Sequence, residues 1–315
     1  MRNPILFAVP ALVLTLAACS TPAPQATESA AIEIENCGFD FTVPAPPERI
    51  VTIKSTSTEM LLALGLGDRI VGQAFPDGPV PDSLPDVDVP VISDFAPSEE
   101  AVLGLEPDFV YGGWESNFTA ETAGDRAELA GLGIGTYVSP AACKGENQPA
   151  HLSFDDVFDE ITEAGTVFGA ADAATDLVAA QRAQLAGITK NDSGTTALWW
   201  SSGTDTPYVG AGIGAPQMIL DTIGLTNIAA DVDDTWASYN WEAVIAADPD
   251  VIVLVDASWN TAESKKAYLA SNPATANLDA VKNERYLVVP FAGGEAGVRS
   301  VEAASDLADQ LSKLK

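Results

Sequence analysis

Short apolar runs alternate with amphipathic segments along most of this chain. Runs rich in Val, Ile, Leu and aromatic residues, each bounded by turn residues, predict strands. The predicted strands lie at 49–54, 70–73, 89–92, 109–111, 135–138, 197–200, 251–255 and 286–289. Apolar residues at helical spacing predict helices at 58–65, 98–105, 120–132, 153–168, 170–188, 217–223, 241–247 and 301–314. Strands that alternate with helices indicate an α/β fold in which helices cover parallel sheets.

One unit of this pattern occurs twice. The segment 100–111 has the sequence EAVLGLEPDFVY, and the segment 242–253 has the sequence EAVIAADPDVIV. Both predict a short helix, a turn at the proline and a buried strand, because proline cannot continue a helix. The repeat indicates two related lobes, one over 36–168 and one over 193–315. Between them the Ala-rich segment 169–192 predicts one long, rigid connecting helix.

The N-terminus has the pattern of a secretory signal peptide over residues 1–18. Arg2 precedes an apolar run over 5–16 that is too short to span a bilayer, and two alanines precede Cys19. Cys19 resembles the lipidated first residue of a bacterial lipoprotein, although an ordinary signal peptide with a chance cysteine fits the same residues. The segment 19–35, rich in Ser, Thr, Pro, Ala and Glu, predicts a flexible tether. We therefore expect a protein held by lipid at the extracytoplasmic face of the cell membrane.

Composition narrows the range of functions. The formal net charge is −30, and removal of residues 1–18, which hold one arginine and no acid, changes it to −31. Such an acidic protein repels phosphate backbones, which excludes nucleic acid as a partner. The single histidine, His151, argues against a site for bare zinc or manganese and against a His-based catalytic triad. We therefore predict no metal, no cofactor and no catalytic residues.

Two cysteines remain after Cys19. Cys37 and Cys143 have one possible pairing, and an oxidising compartment favours a disulfide. Two free thiols are the alternative.

Aromatic and hydroxyl residues gather directly after several predicted strands. In open α/β sheets ligands bind outside the carboxyl ends of the strands, so these residues are candidates for a ligand site. Four of the six tryptophans lie at predicted loop positions, where indole rings suit stacking on a flat ligand. For each aromatic or hydroxyl residue the alternative role is packing between loops, and for Arg299 it is a surface ion pair. The predicted ligand-binding residues are Ser55, Thr56, Ser57, Trp114, Trp200, Ser201, Trp236, Tyr239, Trp259, Phe291 and Arg299.

Several segments together give the chain a resemblance to a known family. They are 47–51 (PERIV), 58–65 (TEMLLALG), 105–110 (LEPDFV), 219–224 (ILDTIG) and 242–252. With the lipoprotein signal, they make the chain similar to substrate-binding lipoproteins of ABC importers, specifically the iron-siderophore and cobalamin class of periplasmic binding proteins. The resemblance implies two Rossmann-like βα lobes joined by one long rigid helix, the class III architecture. It also implies a monomer that is not an enzyme and that delivers a small molecule to a permease.

In that family an acid on each lobe docks onto arginines of the permease, which works with an ATPase. Glu59 matches the first-lobe acid, and Asp221 lies where the second-lobe acid, usually glutamate, is expected. Glu59 also completes a capping box, TSTE over 56–59, at a predicted helix start. Trp236 matches a tryptophan that lines the cleft in cobalamin-binding relatives.

The segments 52–59 and 205–212 resemble actinobacterial members proposed to import a precursor of the deazaflavin coenzyme F-420. Such a ligand is flat, aromatic and anionic, while a ferric siderophore or a corrinoid stays open. Haem is disfavoured because only His151 or a tyrosine is available to ligate iron. The alternative function is an exported cell-envelope hydrolase, with Asp155-Asp156 or Asp233-Asp234 as its acid and base.

Overall fold

The structure, a computed structural model, describes residues 31–314. The strands are β1 (Ile32–Asn36), β2 (Phe39–Val43), β3 (Ile50–Ile53), β4 (Ile70–Ala74), β5 (Val91–Ser93), β6 (Phe109–Gly112), β7 (Gly135–Val138), β8 (Thr196–Ser202), β9 (Tyr208–Gly210), β10 (Thr226–Asn227), β11 (Trp236–Ser238), β12 (Val251–Asp256) and β13 (Tyr286–Pro290). The helices are α1 (Ser55–Ala63), α2 (Glu99–Leu103), α3 (Arg126–Gly131), α4 (Phe154–Val167), α5 (Ala171–Ala186), α6 (Ala215–Ile223), α7 (Trp241–Ala247), α8 (Ala262–Ser271), α9 (Asp279–Lys282), α10 (Phe291–Gly294) and α11 (Ser300–Lys313). Within this range no helix has the length and apolar character needed to cross a membrane.

Two sheets organise the protein into two lobes. The first sheet has the order β5-β4-β3-β6-β7 and is parallel throughout. In the second sheet β10, β8, β12 and β13 are parallel neighbours, and the antiparallel strands β9 and β11 extend it beyond β8. In each sheet the chain therefore first adds parallel strands on one side of the first strand and then on the other. In the first sheet β4 and β5 precede β6 and β7, and in the second β10 precedes β12 and β13. The predicted α/β fold is confirmed, although the second sheet is mixed rather than purely parallel.

The repeated segments have the same role in both lobes. Asp108, in the turn before β6, accepts hydrogen bonds from the backbone N–H groups of Glu48 and Arg49 at 2.8 and 2.9 Å, where β3 begins. Asp250, in the turn before β12, accepts one from the N–H of Thr196 at 2.8 Å, where β8 begins. In each lobe this carboxylate fixes the start of the first strand to the turn that precedes its neighbour. The sequence repeat therefore reflects a structural repeat.

Helix α5 carries the chain from the first lobe to the second. It packs against α4 and α11, and the side-chain N–H of Gln181 donates to the carbonyl of Val298 in the second lobe at 2.7 Å. The helix spans 16 residues, so it is shorter than the expected 169–192. Gly187 follows its last residue, and the chain then leads into β8.

A hairpin of β1 and β2 precedes the first sheet and was not predicted. Ile32–Asn36 forms a strand, so the tether expected over 19–35 does not extend to residue 35. Asn36 donates to the carbonyl of Val138 and accepts from its N–H, both at 2.8 Å, which fastens the hairpin to β7. Cys37 and Cys143 form a disulfide, as the oxidising compartment favoured. The signal peptide, Cys19 and most of the tether lie outside the described residues.

Two local predictions are wrong. Only Arg126–Gly131 of the predicted helix 120–132 is helical, because Asp125 caps its N-terminus by accepting from the N–H of Ala127. The capping box over 56–59 does not form, because α1 begins at Ser55 and its N-cap is Lys54, which makes no side-chain capping bond. Helix α8 was not predicted. Its charged and alanine-rich sequence has no distinct apolar face.

Candidate functional site

A cavity of about 540 Å³ lies between the two lobes, at the carboxyl ends of their parallel strands. We call it the main cavity. The first lobe contributes to it from the segments after β3, β4, β6 and β7, and the second from residues at the ends of β8, β12 and β13. Its seven aromatic residues are Phe75, Phe95, Trp114, Tyr208, Trp236, Trp259 and Phe291. Its polar side chains are those of Thr56, Glu115, Ser116, Ser139, Lys144, Ser201, Ser202, Thr235 and Glu295.

The aromatic residues form two groups. Phe95, Phe75, Trp114, Phe291 and Trp259 make a chain of edge-to-face contacts, with neighbouring ring centroids 5.6 to 6.2 Å apart. This chain crosses from the first lobe to the second between Trp114 and Phe291. The other group is a stacked pair. It consists of Tyr208 on β9 and Trp236 on β11. Their ring centroids are 6.1 Å apart, and their ring planes make an angle of 14°. Both groups offer large, rigid ring surfaces to a ligand.

A buried lysine lies behind the first aromatic group. The ammonium of Lys54 is 3.8, 3.9 and 4.6 Å from the ring centroids of Phe75, Trp114 and Phe291, and it forms an ion pair with Asp77. We call Phe75, Trp114, Phe291 and Asp77, together with Lys54, the Lys54 cage. Burial lowers the pKa of Lys54 and raises that of Asp77, and the attraction between the two charges opposes both shifts. Rings from both lobes therefore meet around one charge.

Lys54 also has an unusual backbone conformation, with φ of 82° and ψ of 148°. A non-glycine residue in this region carries strain of about 1–3 kcal/mol, which the surrounding structure must offset. The backbone N–H of Lys54 donates to the carbonyl of Ala74 at 2.9 Å, and the N–H of Ser55 donates to Asp77 at 3.3 Å. These contacts hold the strained residue where strand β3 turns into helix α1.

Glu295 is the acidic side chain of the second lobe that lines the main cavity. Its Oε2 accepts a hydrogen bond from the indole N–H of Trp114 at 3.4 Å, across the lobe boundary. Burial raises the pKa of Glu295 to about 7; Lys54 and Lys144 favour its ionised form, while Asp77 opposes it. A carboxyl with this pKa exchanges its proton near neutral pH.

The lobes are in contact around the main cavity. The backbone N–H of Ser258 donates to the carbonyl of Asp77 at 3.0 Å, and that of Leu152 donates to the carbonyl of Ile213 at 2.8 Å. The ammonium of Lys144 lies 3.3 Å from the hydroxyl of Thr235. These cross-lobe bonds describe a closed arrangement, in which a ligand between the lobes is largely enclosed.

Six of the eleven predicted ligand-binding residues line the main cavity. They are Thr56, Trp114, Ser201, Trp236, Trp259 and Phe291. The rule that ligands bind beyond the carboxyl ends of parallel strands accounts for most of them. Trp236 is an exception, since it belongs to the antiparallel strand β11 rather than to the predicted loop.

The other five do not line the main cavity. Trp200 is buried in the second lobe, in edge-to-face contact with Trp241, and its N–H donates to the carbonyl of Ser202 at 2.7 Å. Tyr239 packs against the same core and donates to the carbonyl of Ile228. The remaining three have structural partners inside the protein: Ser55 bonds Asp77, Ser57 donates to the carbonyl of Ile53, and Arg299 pairs with Glu59.

The pair of Glu59 and Arg299 changes the expected role of both residues. Their charged atoms are 3.5 Å apart, and only 2% of the Glu59 side chain is exposed. Oε2 of Glu59 and Nε of Arg299 are buried without a hydrogen-bond partner. Burial raises the pKa of Glu59 to about 7, although Arg299 favours its ionised form. In this closed arrangement Glu59 is enclosed and does not present a docking surface.

Asp221, the other expected docking acid, lies exposed on α6. Its carboxylate accepts from the side chain of Gln217 at 2.9 Å and lies 3.9 Å from the ring of His151. His151 itself is exposed and does not line the main cavity.

Sequence reasoning missed several residues of the main cavity. Phe75 directly follows β4, so the strand-end rule identifies it once β4 is placed correctly. Phe95 and Lys144 lie on long connections with no local signal. Glu295 follows the glycines of α10, where nothing in the local pattern indicates a buried acid.

The proposed hydrolase pairs do not form a catalytic couple in the main cavity. Asp155 pairs with Arg182 at 2.7 Å, and Asp156 accepts from the N–H of Ser153 as part of a helix cap. Asp234 accepts from the backbone N–H of Thr235. None of the four acids lines the main cavity, and residues 31–314 contain no group of three or more metal-ligating side chains.

Three glutamates with little access to solvent make the stability depend on pH. Burial raises the pKa values of Glu59, Glu160 and Glu295 to about 7. The folded protein therefore holds these protons more tightly than the unfolded chain, which adds to the free energy of unfolding. This added stability is fully present below pH 4.5 and is lost as the pH rises to about 7. Glu160→Gln should reduce the slope of the unfolding free energy by up to about 1.4 kcal/mol per pH unit in this window. Urea unfolding at several pH values measures it.

The exposed residue Glu128 on α3 supplies the matched control. Glu128→Gln should leave the slope as in the wild type. Equal slopes for the wild type and Glu160→Gln would contradict the assignment of Glu160 as a buried titrating group.

Comparison with known proteins identifies the family. A family model for periplasmic binding proteins matches residues 50–292. The chain belongs to this family. The ABC transporter substrate-binding lipoprotein YvrC of Bacillus subtilis, which is uncharacterized, is 28% identical over 312 residues, 94% of this chain and 92% of that protein. A cobalamin-binding protein of Halobacterium salinarum is 27% identical over 269 residues, 77% of this chain and 66% of that protein.

Solved structures agree with this membership. A crystal structure of an ABC-type Fe3+-hydroxamate transport system from Saccharomonospora viridis is 27% identical to this chain, with a TM-score of 0.76. The match covers 89% of this chain and 98% of that one. The expected iron-siderophore and cobalamin class and its two-lobed α/β architecture are therefore confirmed. The relatives are binding proteins of transport systems, which supports a binding role rather than catalysis.

Proposed function

We propose that this protein captures a planar aromatic small molecule between its two lobes, outside the cytoplasmic membrane, and delivers it to the permease of an ABC importer. The observation that carries the proposal is the main cavity, whose aromatic walls come from both lobes. An anchor through Cys19 would keep the protein near the permease.

The shape and chemistry of the main cavity favour a flat ring system over the other candidates. A stacked pair and an edge-to-face chain of rings provide flat apolar surfaces, and hydroxyl groups from both lobes provide hydrogen bonds to ring substituents. A volume of about 540 Å³ suits a ligand of moderate size and is small for a corrinoid with its nucleotide loop. A ribityl deazaflavin, the precursor of coenzyme F-420 that carries no phosphate, fits this description.

Haem is a poor match to the same residues. His151 lies outside the main cavity, and Tyr208 is the tyrosine that lines it. Burial, with Asp234 and Glu295 nearby, raises the pKa of Tyr208. A raised pKa opposes the tyrosinate form that ligates ferric iron.

A thermal-shift panel tests the ligand class. The panel contains ribityl deazaflavin, a ferric hydroxamate siderophore and cyanocobalamin, each added to the purified protein without its signal peptide. At a hundred times the dissociation constant a ligand adds about 2.7 kcal/mol of stability, which raises Tm by about 5–10 °C for a protein of this size. We expect this shift for the deazaflavin alone. A shift for the siderophore or the corrinoid alone would contradict the planar aromatic class.

Docking onto the permease needs an accessible acid on each lobe. Because Glu59 is enclosed, the structural repeat points to another pair, Glu100 on α2 and Glu242 on α7. Both lie in the first turn of equivalent helices, and both are exposed. We infer that this symmetric pair meets arginines on the two halves of the permease, with Asp221 as a further acid on the second lobe.

Glu100→Ala and Glu242→Ala should each weaken binding to the permease complex about tenfold or more, since a hydrogen bond to a charged group contributes about 1.5–3 kcal/mol. The affinity for the small molecule should stay unchanged. Binding to the permease complex in lipid nanodiscs measures this effect. Glu128→Ala removes an exposed acid from α3 and serves as the control; a loss equal to that of the two variants would contradict the assignment.

A further inference from the structure

Glu295 lines the main cavity and also takes part in a contact between the two lobes. It belongs to the second lobe, yet its Oε2 is held by the indole N–H of Trp114 from the first lobe. The carboxyl group therefore bridges the two lobes and lies against a ring of the aromatic wall. A ligand that stacks on Trp114 lies beside the carboxyl group.

The other oxygen of Glu295 is open to a ligand. No residue among 31–314 donates a hydrogen bond to its Oε1, and this atom is not fully enclosed by the protein. The accessible part of the side chain lines the main cavity. A carboxylate oxygen accepts hydrogen bonds, so the protein offers one free acceptor at this point of the wall.

The surrounding charges indicate which donor suits this acceptor. Lys54 and Lys144, both in the first lobe, favour the ionised form of Glu295, and Asp77 adds a negative charge that is already paired with Lys54. A cationic ligand group at this point would be repelled by the ammonium of Lys54, which contacts the rings of Trp114 and Phe291. A neutral N–H on the edge of a ring satisfies the acceptor without adding a second positive charge.

We propose that Glu295 is a specificity-determining residue that accepts a hydrogen bond from an N–H on the edge of the bound ring, as in an imide or lactam of a fused heterocycle. This inference rests on the proposed function and specifies the ligand further. The aromatic residues hold the faces of the ring, and Glu295 selects rings whose edge carries a donor. Rings of the same size that lack the donor leave a desolvated acceptor unpaired and bind more weakly.

The test compares two probes that differ by one methyl group. Ribityl deazaflavin carries one imide N–H, and its imide-N-methyl derivative carries none. Calorimetric titration of the wild type should give an affinity about 10- to 100-fold higher for the first probe. Glu295→Gln, which keeps a neutral acceptor, should reduce this ratio to about 3- to 10-fold, because a hydrogen bond to a charged acceptor is about twice as strong. Glu295→Met, which has no acceptor, should bring it near one.

The control is Glu160→Gln, which changes another buried carboxyl of raised pKa that does not line the main cavity. This variant should keep the wild-type ratio. If Glu295→Met does not fold, the two probes and Glu295→Gln still decide the result. Equal affinities of both probes for the wild type, or an unchanged ratio in Glu295→Gln, would overturn this inference and leave the proposed function intact. Failure of both probes to bind the wild type would instead contradict the proposed function.

Discussion

Trp236→Ala should lower the affinity for the planar ligand about 30-fold or more and leave folding nearly unchanged. Trp236 is part of the stacked pair in the main cavity and is half-buried. Removing its ring takes away a stacking surface worth about 2 kcal/mol or more in a well-packed site. Calorimetric titration with ribityl deazaflavin measures the affinity, and urea unfolding measures the stability.

Trp200→Phe supplies the comparison for this experiment. Trp200 is also a tryptophan of the second lobe, but its ring belongs to the core of that lobe. Its substitution should cost about 1–3 kcal/mol of stability, because the carbonyl of Ser202 loses a donor, and should leave affinity unchanged. The opposite outcome, lost affinity in Trp200→Phe and wild-type affinity in Trp236→Ala, would contradict the assignment of the main cavity.

Loss of the disulfide should destabilise the protein by about 2–5 kcal/mol. The bond between Cys37 and Cys143 closes a loop with a sequence separation of 106, and a loop of about this length gives up about 4.7 kcal/mol of chain entropy in the unfolded state. Cys37→Ser, Cys143→Ser and the double variant should all show this loss in urea unfolding. The wild type treated with reductant should match them.

The disulfide also affects the main cavity. Cys143 lies among residues that line it, since Ala141, Ala142 and Lys144 are part of the wall. Without the bond the segment 139–148 loses its attachment to the β1–β2 hairpin, so the double variant should also bind the planar ligand more weakly. Unchanged stability in the double variant would contradict a bonded pair in the native protein.

The strands and helices of both lobes were largely predictable, because their apolar patterns are local. The repeat over 100–111 and 242–253 predicted two related lobes, and the shared roles of Asp108 and Asp250 explain why that segment occurs twice. The β1–β2 hairpin was missed because its strands are short and partly exposed, and because they follow a Ser- and Pro-rich segment.

The site was only partly predictable, because several of its residues acquire their role from partners that are distant in sequence. Trp199 and Trp200 are adjacent on β8 and both are buried, since helices and loops cover both faces of the sheet. Arg299 looked free to meet a ligand, yet Glu59 lies 240 positions away in sequence and pairs with it. Glu295 lies beside Trp114 in the main cavity, although the two residues are 181 positions apart in sequence.

A crystal structure of the protein with the compound that raises Tm most in the panel tests the central claim most directly. We predict one molecule between the lobes, with its ring plane against Trp114 or the stacked pair of Tyr208 and Trp236. Density for the compound on an outer surface, with the main cavity holding only solvent, would contradict the account.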